Sequence, residues 1–316
     1  MLAVEDAAAI AERFGLGDGA ALGPRPAARG ELGQVWRLTT TTGAWAVKEP
    51  FEPQVEDQAE LMAAYHEAVV AAGVPAPAIV RTTDGAILAD VGTQVRVYPW
   101  VEMHGTDTGI DAARVGELVA AIHQVRMSTD EAVDPWYAEP VGAARWDQLV
   151  ARLTAHGAPH AAALGELRDE LVALERLVSP PSMLQVCHRD LWADNLRATP
   201  AGDLCVIDWE NCGAADPSQE VALVLFEFAR GDAGRARALY AAYVGAGGPG
   251  RVDGPCSFSM TIAQLHHIGA RACELWPVVG SADDDRRRAL DRIEEFVGEP
   301  LTHAVIDGLL AALGSR

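Results

Sequence analysis

The chain has 316 residues, 49% of them hydrophobic, and a formal net charge of −20, enough to bury one large core or two modest ones. So acidic a chain lacks the clustered Lys/Arg that a phosphate backbone needs, which argues against nucleic acid, and no stretch approaches the roughly 18 uninterrupted apolar residues of a membrane span. Met1-Leu2-Ala3-Val4-Glu5-Asp6 has no basic n-region, and five cysteines without a Cys-x-x-Cys pair argue against a disulfide framework or structural zinc; a cytoplasmic protein is expected.

Apolar residues at helical spacing (Val4, Ala7, Ala8, Ala11, Phe14) predict a short helix that Gly15 and Gly17 stop. After a Gly/Pro/Ala-rich connector, Gly30-Glu31-Leu32-Gly33 opens a hairpin. Its strands end near Leu38, turn at Thr39-Thr40-Thr41-Thr42-Gly43 and return over 44–47. A helix over 55–72 ends at Gly73-Val74-Pro75-Ala76-Pro77, which forces extended chain. Short strands at 79–80 and 86–89 flank the turn Asp84-Gly85. Val95-Arg96-Val97-Tyr98 is the last strand before Tyr98-Pro99-Trp100-Val101 leaves this lobe.

From Asp111 the pattern turns helical, with Val115, Leu118, Val119 and Ile122 on one face and His123 as a capped or buried histidine. A loop over 134–140 leads to Trp146-Asp147-Gln148-Leu149-Val150 and a helix over 164–177, and Ser179-Pro180-Pro181 resets the chain. Two segments follow: Val186-Cys187-His188-Arg189-Asp190-Leu191-Trp192-Ala193-Asp194-Asn195, and Cys205-Val206-Ile207-Asp208-Trp209-Glu210, a short buried strand with a carboxylate at its tip. Helices over 220–229 and 235–244, a connector over 245–254 and a mostly helical remainder complete the chain.

His188-Arg189-Asp190-Leu191, with Asn195 five places after the Asp, fits the kinase catalytic-loop pattern. There the Asp orients or deprotonates the attacking hydroxyl and the Asn holds magnesium. Asp208 is the candidate for the carboxylate that holds the other side of the metal site. Lys48, in Ala46-Val47-Lys48, is the only lysine in the chain; lysine and arginine differ where a compact ammonium has to sit against nucleotide phosphates and a carboxylate, and the run resembles the kinase strand lysine. Among Glu56, Glu60 and Glu67 on the next helix, Glu60 is the choice for the carboxylate that aims it, with a solvated helix face as the alternative. Gly30 and Gly33 let a loop lie over phosphates, or form a plain turn. Tyr98, Trp100 and Val101 stand where backbone groups could read an adenine ring, or Trp100 fills interlobe core.

With these residues assembled, the chain resembles the aminoglycoside phosphotransferase family, the wider group of small-molecule kinases that includes choline, fructosamine and homoserine kinase-like enzymes. The catalytic loop carries the resemblance, with Ile207-Asp208-Trp209-Glu210 and then Gly213, Asp216 and Glu220; Ala46-Val47-Lys48 and the Gly73-Val74-Pro75 exit support it. Arg189 departs from it, since family members often have Gly there. The resemblance implies an α+β, bilobal protein-kinase-like fold, with a small, mainly antiparallel β N-terminal lobe carrying one helix (1–101) and a larger, mainly α-helical C-terminal lobe (102–316). It implies transfer of the γ-phosphoryl group of ATP, with GTP as the alternative donor and Mg2+ as the metal. The acceptor would be a hydroxyl of a small cationic molecule (an aminoglycoside-like antibiotic, amino sugar or amino alcohol), with antibiotic resistance as one role, and the enzyme a monomer or homodimer. Asp194 and Glu210 beside the catalytic groups, and Glu274 with Trp276 in the segment 261–276, are the candidates for holding acceptor amines. A non-catalytic nucleotide-binding or regulatory protein on the same scaffold stays as an alternative, as does a protein kinase, though no Asp-Phe-Gly or Ala-Pro-Glu is present.

Overall fold

The helical spacing after Met1 folds as a 3-10 turn, Val4–Asp6, and a helix, α1 (Ala7–Phe14), which Gly15 ends at φ +64°, in the left-handed region that favours glycine. The computed structural model describes residues 1–30, 32–276 and 283–314. By their contacts they form two units, Met1–Asp107 with Asp190–Cys212, and Thr108–Arg189 with Gly213–Arg316. This grouping differs from a single boundary at Val101. Residues 190–212 join the N-terminal segment because the backbone ties them to it: Val206 N–H donates to Pro75 O (2.9 Å) and His104 N–H to Ala198 O (2.8 Å).

In the first unit, β1 (Ala21–Leu22), β2 (Ala28–Arg29), β3 (Gly33–Thr40), β4 (Gly43–Pro50), α2 (Glu56–Ala71), β5 (Ala89–Asp90) and β6 (Gln94–Pro99) follow in order. The strands pair antiparallel as β1-β3-β4-β6-β5, with β2 also on β3. Thr40 pairs with Gly43, so Thr41-Thr42 makes the hairpin turn, and the Thr40 hydroxyl fixes it by donating to Leu16 O (2.6 Å). The strand expected at 79–80 is a single bridge from Val80 to Val97, while the Asp84-Gly85 turn forms with Gly85 N–H on Thr82 O (2.9 Å).

One face of this sheet (Trp36, Leu38, Val47, Val95, Val97) packs with Ile10 and Phe14 of α1 into an apolar core. The two-residue period of a strand puts Lys48, Arg96 and Tyr98 on the other face, with Lys48 directly across from Arg96.

The second unit is mostly helical: α3 (Ala112–Gln124), α4 (Pro135–Ala138), α5 (Ala143–Ala155), α6 (Ala161–Leu174), α7 (Pro217–Ala229), α8 (Ala233–Gly245), α9 (Ser259–Leu275), α10 (Asp283–Gly298) and α11 (His303–Leu313). Asp111, Asp216 and Asp232 cap α3, α7 and α8 through side-chain bonds to free N–H groups. Strands Gln185–Cys187 and Gly213–Ala215 pair antiparallel. The continuous apolar run of α7, Val221 to Phe226, is buried on all sides, which explains why it shows no polar face. Among the described residues no single helix is long and apolar enough to cross a membrane.

Helices α3 and α8 meet at Gly116, where an added Cβ would lie 2.1 Å from Leu239 O. Backbone cannot yield there as a side-chain tip can. Gly116→Ala is therefore expected to cost about 2–4 kcal/mol, read as a fall in urea midpoint at unchanged slope.

Candidate active site

Asp190 follows strand Gln185–Cys187, and the hairpin of Leu196–Ala198 with Leu204–Val206 follows it. Asn195 turns back on the aspartate: its Nδ2 donates to Asp190 O (2.9 Å) and Oδ2 (2.8 Å), and Asn211 Nδ2 reaches the same Oδ2 at 3.1 Å. Two amide donors on one oxygen fix the rotamer of the carboxylate. Ile207 N–H closes onto Asn195 O (2.9 Å), which holds the Asp208 strand end beside the loop. With its nitrogen spent on Asp190, Asn195 offers Oδ1 to a cation, and together with the Asp208 carboxylate this is the hard oxygen donor set that Mg2+ takes.

Lys48 reaches the same strand end, with Nζ 2.8 Å from Asp208 Oδ1 and 2.7 Å from Glu210 Oε2. Glu210 also accepts the Tyr98 hydroxyl (3.1 Å) and lies 3.7 Å from the Arg96 guanidinium. Burial works against the Lys48 ammonium, but Glu210 and then Asp208 outweigh it and raise its pKa. Burial likewise opposes the Glu210 charge, yet Lys48 and the neighbouring donors hold it well below the ordinary glutamate range. Asp208 moves up, through burial beside a second carboxylate and against the pull of Lys48.

Within the second unit, the residues just before Asp190 are held by a buried network. Glu220, fully buried on α7, accepts the N–H groups of Arg189 and His188, and its Oε2 bonds His123 Nε2 at 2.7 Å. His123 Nδ1 meets the Tyr243 hydroxyl at 2.8 Å, so the ring is a buried histidine as expected. Cys187, His123 and Glu220 bring potential ligand atoms within 4.8 Å of one another, but both imidazole nitrogens are already committed.

Several sequence-based assignments change. Glu60 does not meet Lys48; Arg81 takes it at 3.1 Å and takes Glu67 at 2.7 Å. The buried face of α2 carries Ala59, Ala63, Tyr65, His66 and Val69 instead of a carboxylate. Glu210, expected to contact acceptor amines, is taken by the chain's own cations. Glu274 pairs with Arg145, and the Arg286 guanidinium lies 4.9 Å from the Trp276 ring centre.

Gly33 is explained by strand packing, since a Cβ there would lie 2.6 Å from Glu49 O, and Gly30 N–H closes a turn onto Gly33 O (2.9 Å); Glu31 between them lies outside the described residues. Of the adenine-reading candidates, Tyr98 spends its hydroxyl on Glu210, and Trp100 donates its N–H to Ala44 O (2.9 Å) and its Nε1–H to Glu102 (2.8 Å). Val101 follows them. Asp194 accepts the Thr106 hydroxyl (2.5 Å). Sequence reasoning missed Asn211 and Arg96. The first stands three places after Asp208, within the same turn; the second required the β4–β6 register.

A fold of antiparallel sheet plus helix, followed by a mostly helical part, with a carboxylate held by two amides beside a lysine and a strand-end aspartate, defines a kinase-like phosphotransferase scaffold. The profile of the phosphotransferase enzyme family, APH, matches residues 24–254, and the chain belongs to that family. Among solved structures it is similar to a spectinomycin phosphotransferase in complex with ADP and spectinomycin (14% identity, 99% of this chain and 98% of that one, TM-score 0.69). It is also similar to an aminoglycoside phosphotransferase of Alicyclobacillus acidocaldarius (18%, 92% and 90%, 0.58) and a choline kinase of Streptococcus pneumoniae (16%, 88% and 93%, 0.55). At these identities the likeness is one of fold, and the expected α+β kinase-like architecture stands. A sequence search of curated proteins gives no match.

The Glu220 bonds to His123, His188 and Arg189 have a pH signature. Burial opposes the Glu220 charge, but the His123 contact and the Arg189 N–H outweigh it and lower the folded-state pKa. A lowered carboxyl contributes stability that is complete above its unfolded pKa of about 4.3 and is lost as pH falls through the folded value. Glu220→Gln is expected to cost about 3 kcal/mol at neutral pH. The gap from wild type in urea unfolding should stay constant above about pH 5 and narrow below about pH 4; a gap unchanged through the acid limb would contradict the assignment.

Proposed function

We propose that this chain is a small-molecule kinase that transfers the γ-phosphoryl group of ATP to a hydroxyl of a small, cationic acceptor, with GTP as the alternative donor. The observation that carries the reading is the fixed Asp190 carboxylate, held at Oδ2 by Asn195 and Asn211 in the unit that also brings Lys48 to Asp208. Asp190 takes the role of the base that positions the acceptor hydroxyl. Lys48 grips the α/β-phosphates. Asn195 and Asp208 would hold Mg2+, which when bound supplies positive charge to the phosphates. Phosphoryl transfer leaves the protein little covalent chemistry, so alignment and charge account for most of its contribution.

The acceptor class rests on the net charge of −20, which favours a cation, and on family membership. The similar structures include enzymes named for spectinomycin, aminoglycosides and choline. A resistance role and a cytosolic location, where the five free thiols would stay reduced, belong to the same reading.

The test is ADP or GDP release with magnesium against aminoglycosides, other basic antibiotics, amino sugars and choline. One acceptor class should raise release in wild type. Asp190→Ala should lower turnover by about 10²–10⁴-fold while nucleotide still binds, and Asp208→Asn should weaken metal-nucleotide binding itself. Near-normal turnover in Asp190→Ala would overturn the base assignment, and absence of nucleotide binding in wild type would overturn the kinase reading.

A further inference from the structure

Lys48 and Arg96 are direct cross-strand partners on one face of the β4–β6 pair. Their side chains are 25% and 4% exposed. Like charges placed opposite each other on a sheet repel, and removing both from water adds a desolvation cost, so the pair requires an anion. In many kinases a helix carboxylate aims the lysine, but here the inward face of α2 carries alanines and aromatic rings, and Glu60 and Glu67 belong to Arg81. The required anion arrives from elsewhere. Glu210, 12% exposed, stands 2.7 Å from Lys48 and 3.7 Å from Arg96, with the Tyr98 hydroxyl donating to its Oε1.

The segment that carries Glu210 is itself gripped by α2, through rings. Trp209 stacks on His66 (4.9 Å between centroids, 12° between planes), meets Tyr65 edge-on at 6.1 Å, and donates its Nε1–H to Val206 O at 3.1 Å. Helix α2 therefore positions the lysine at one remove, by holding the segment that holds it. Asp208, on the other side of Trp209, touches the lysine too, but its carboxylate is the one suited to a metal ion.

We infer that Glu210 is the lysine-positioning carboxylate of this enzyme, replacing the helix glutamate, with Arg96 and Tyr98 fixing its orientation. The inference rests on Lys48 being the phosphate-gripping lysine. Its consequence is that metal ligand and lysine anchor sit two residues apart on one strand end, so one displacement of that end disturbs both.

Because Lys48 is the only lysine, its amine can be followed site-specifically. Acetylation by an N-hydroxysuccinimide ester, timed by mass spectrometry of the Lys48 peptide, reports how firmly the ammonium is held and needs neither acceptor nor catalysis. Titration with a fluorescent Mg·ATP analogue reads nucleotide affinity. Glu210→Gln, which keeps shape and an acceptor for Tyr98, should acetylate at least about tenfold faster and bind nucleotide at least about tenfold more weakly, as expected when one partner of a buried charge pair is lost.

Glu60→Gln should stay within about twofold of wild type in both measurements, as for an exposed ion pair. Unchanged acetylation in Glu210→Gln overturns the inference. So does a tenfold effect in Glu60→Gln, an arm that remains decisive if Glu210→Gln does not fold. Wild type that binds no nucleotide while the acetylation rates separate as described would overturn the kinase reading and leave Glu210 as the lysine's partner.

Discussion

Two cations facing each other across adjacent strands, Arg96 buried and Lys48 half-buried, are the constraint on which the first unit is built. Lys48 and Arg96 repel each other on a largely desolvated sheet face unless a carboxylate stands between them, and neither β4 nor β6 places one on that face. The anion must come from a distant segment, and the backbone is arranged to deliver it. Pro75, just past α2, receives Val206 N–H; Asn195 receives Ile207 N–H; and the next residues, Asp208 and Glu210, reach Lys48. The 196–206 hairpin is thus a spacer of fixed length between the catalytic loop and the lysine.

The other face of the same sheet shows why such a charge cluster is tolerated. Glu49, one residue from Lys48, points to the opposite side, where Gln34 Nε2–H, Trp36 Nε1–H and Leu2 N–H satisfy it at 2.7, 3.0 and 2.7 Å. Those donors, not its charge partners, hold its pKa down against burial. Strand β4 therefore carries buried charge on both faces, each fully bonded. That keeps its position sharply defined, since a one-residue slip would put Lys48 into the apolar core and Val47 among the carboxylates.

What was legible in the sequence was local. The hairpin turn, the end of α2 at Gly73 and the grouping of Asp190, Asn195 and Asp208 all depend on residues within about twenty places of one another, and their spacing alone restricts where they can point. Partner choice across 162 residues, as between Lys48 and Glu210, has no such signal. One clue was available nonetheless. Glu60 and Glu67 lie seven apart, on one helical stripe, while Ala59, Ala63 and His66 make the other, and a stripe of small and aromatic residues is the one that packs inward. Of the strands expected at 79–80 and 86–89, the first is reduced to the Val80–Val97 bridge on β6 and the second forms only from Ala89, the first residue of the two-residue β5.

Among the described residues, two non-glycine residues are in left-handed backbone, Arg189 (φ +65°) and Asp208 (φ +66°), and they bracket the segment from Asp190 to the β-hairpin's end. An aspartate enters this region more readily than most residues, so Asp208 carries little strain in turning its carboxylate toward Lys48. For Arg189 the conformation costs on the order of 1–3 kcal/mol and persists only if the surroundings over-determine it. They do: Glu220 accepts its N–H, Tyr137 lies under its guanidinium at 4.4 Å, and Gly213 leaves the space that guanidinium fills, since a Cβ there would stand 2.6 Å from Cζ. Arginine at 189 and glycine at 213 are therefore one solution. The strained residue sits directly before Asp190, whose carboxylate Asn195 and Asn211 hold.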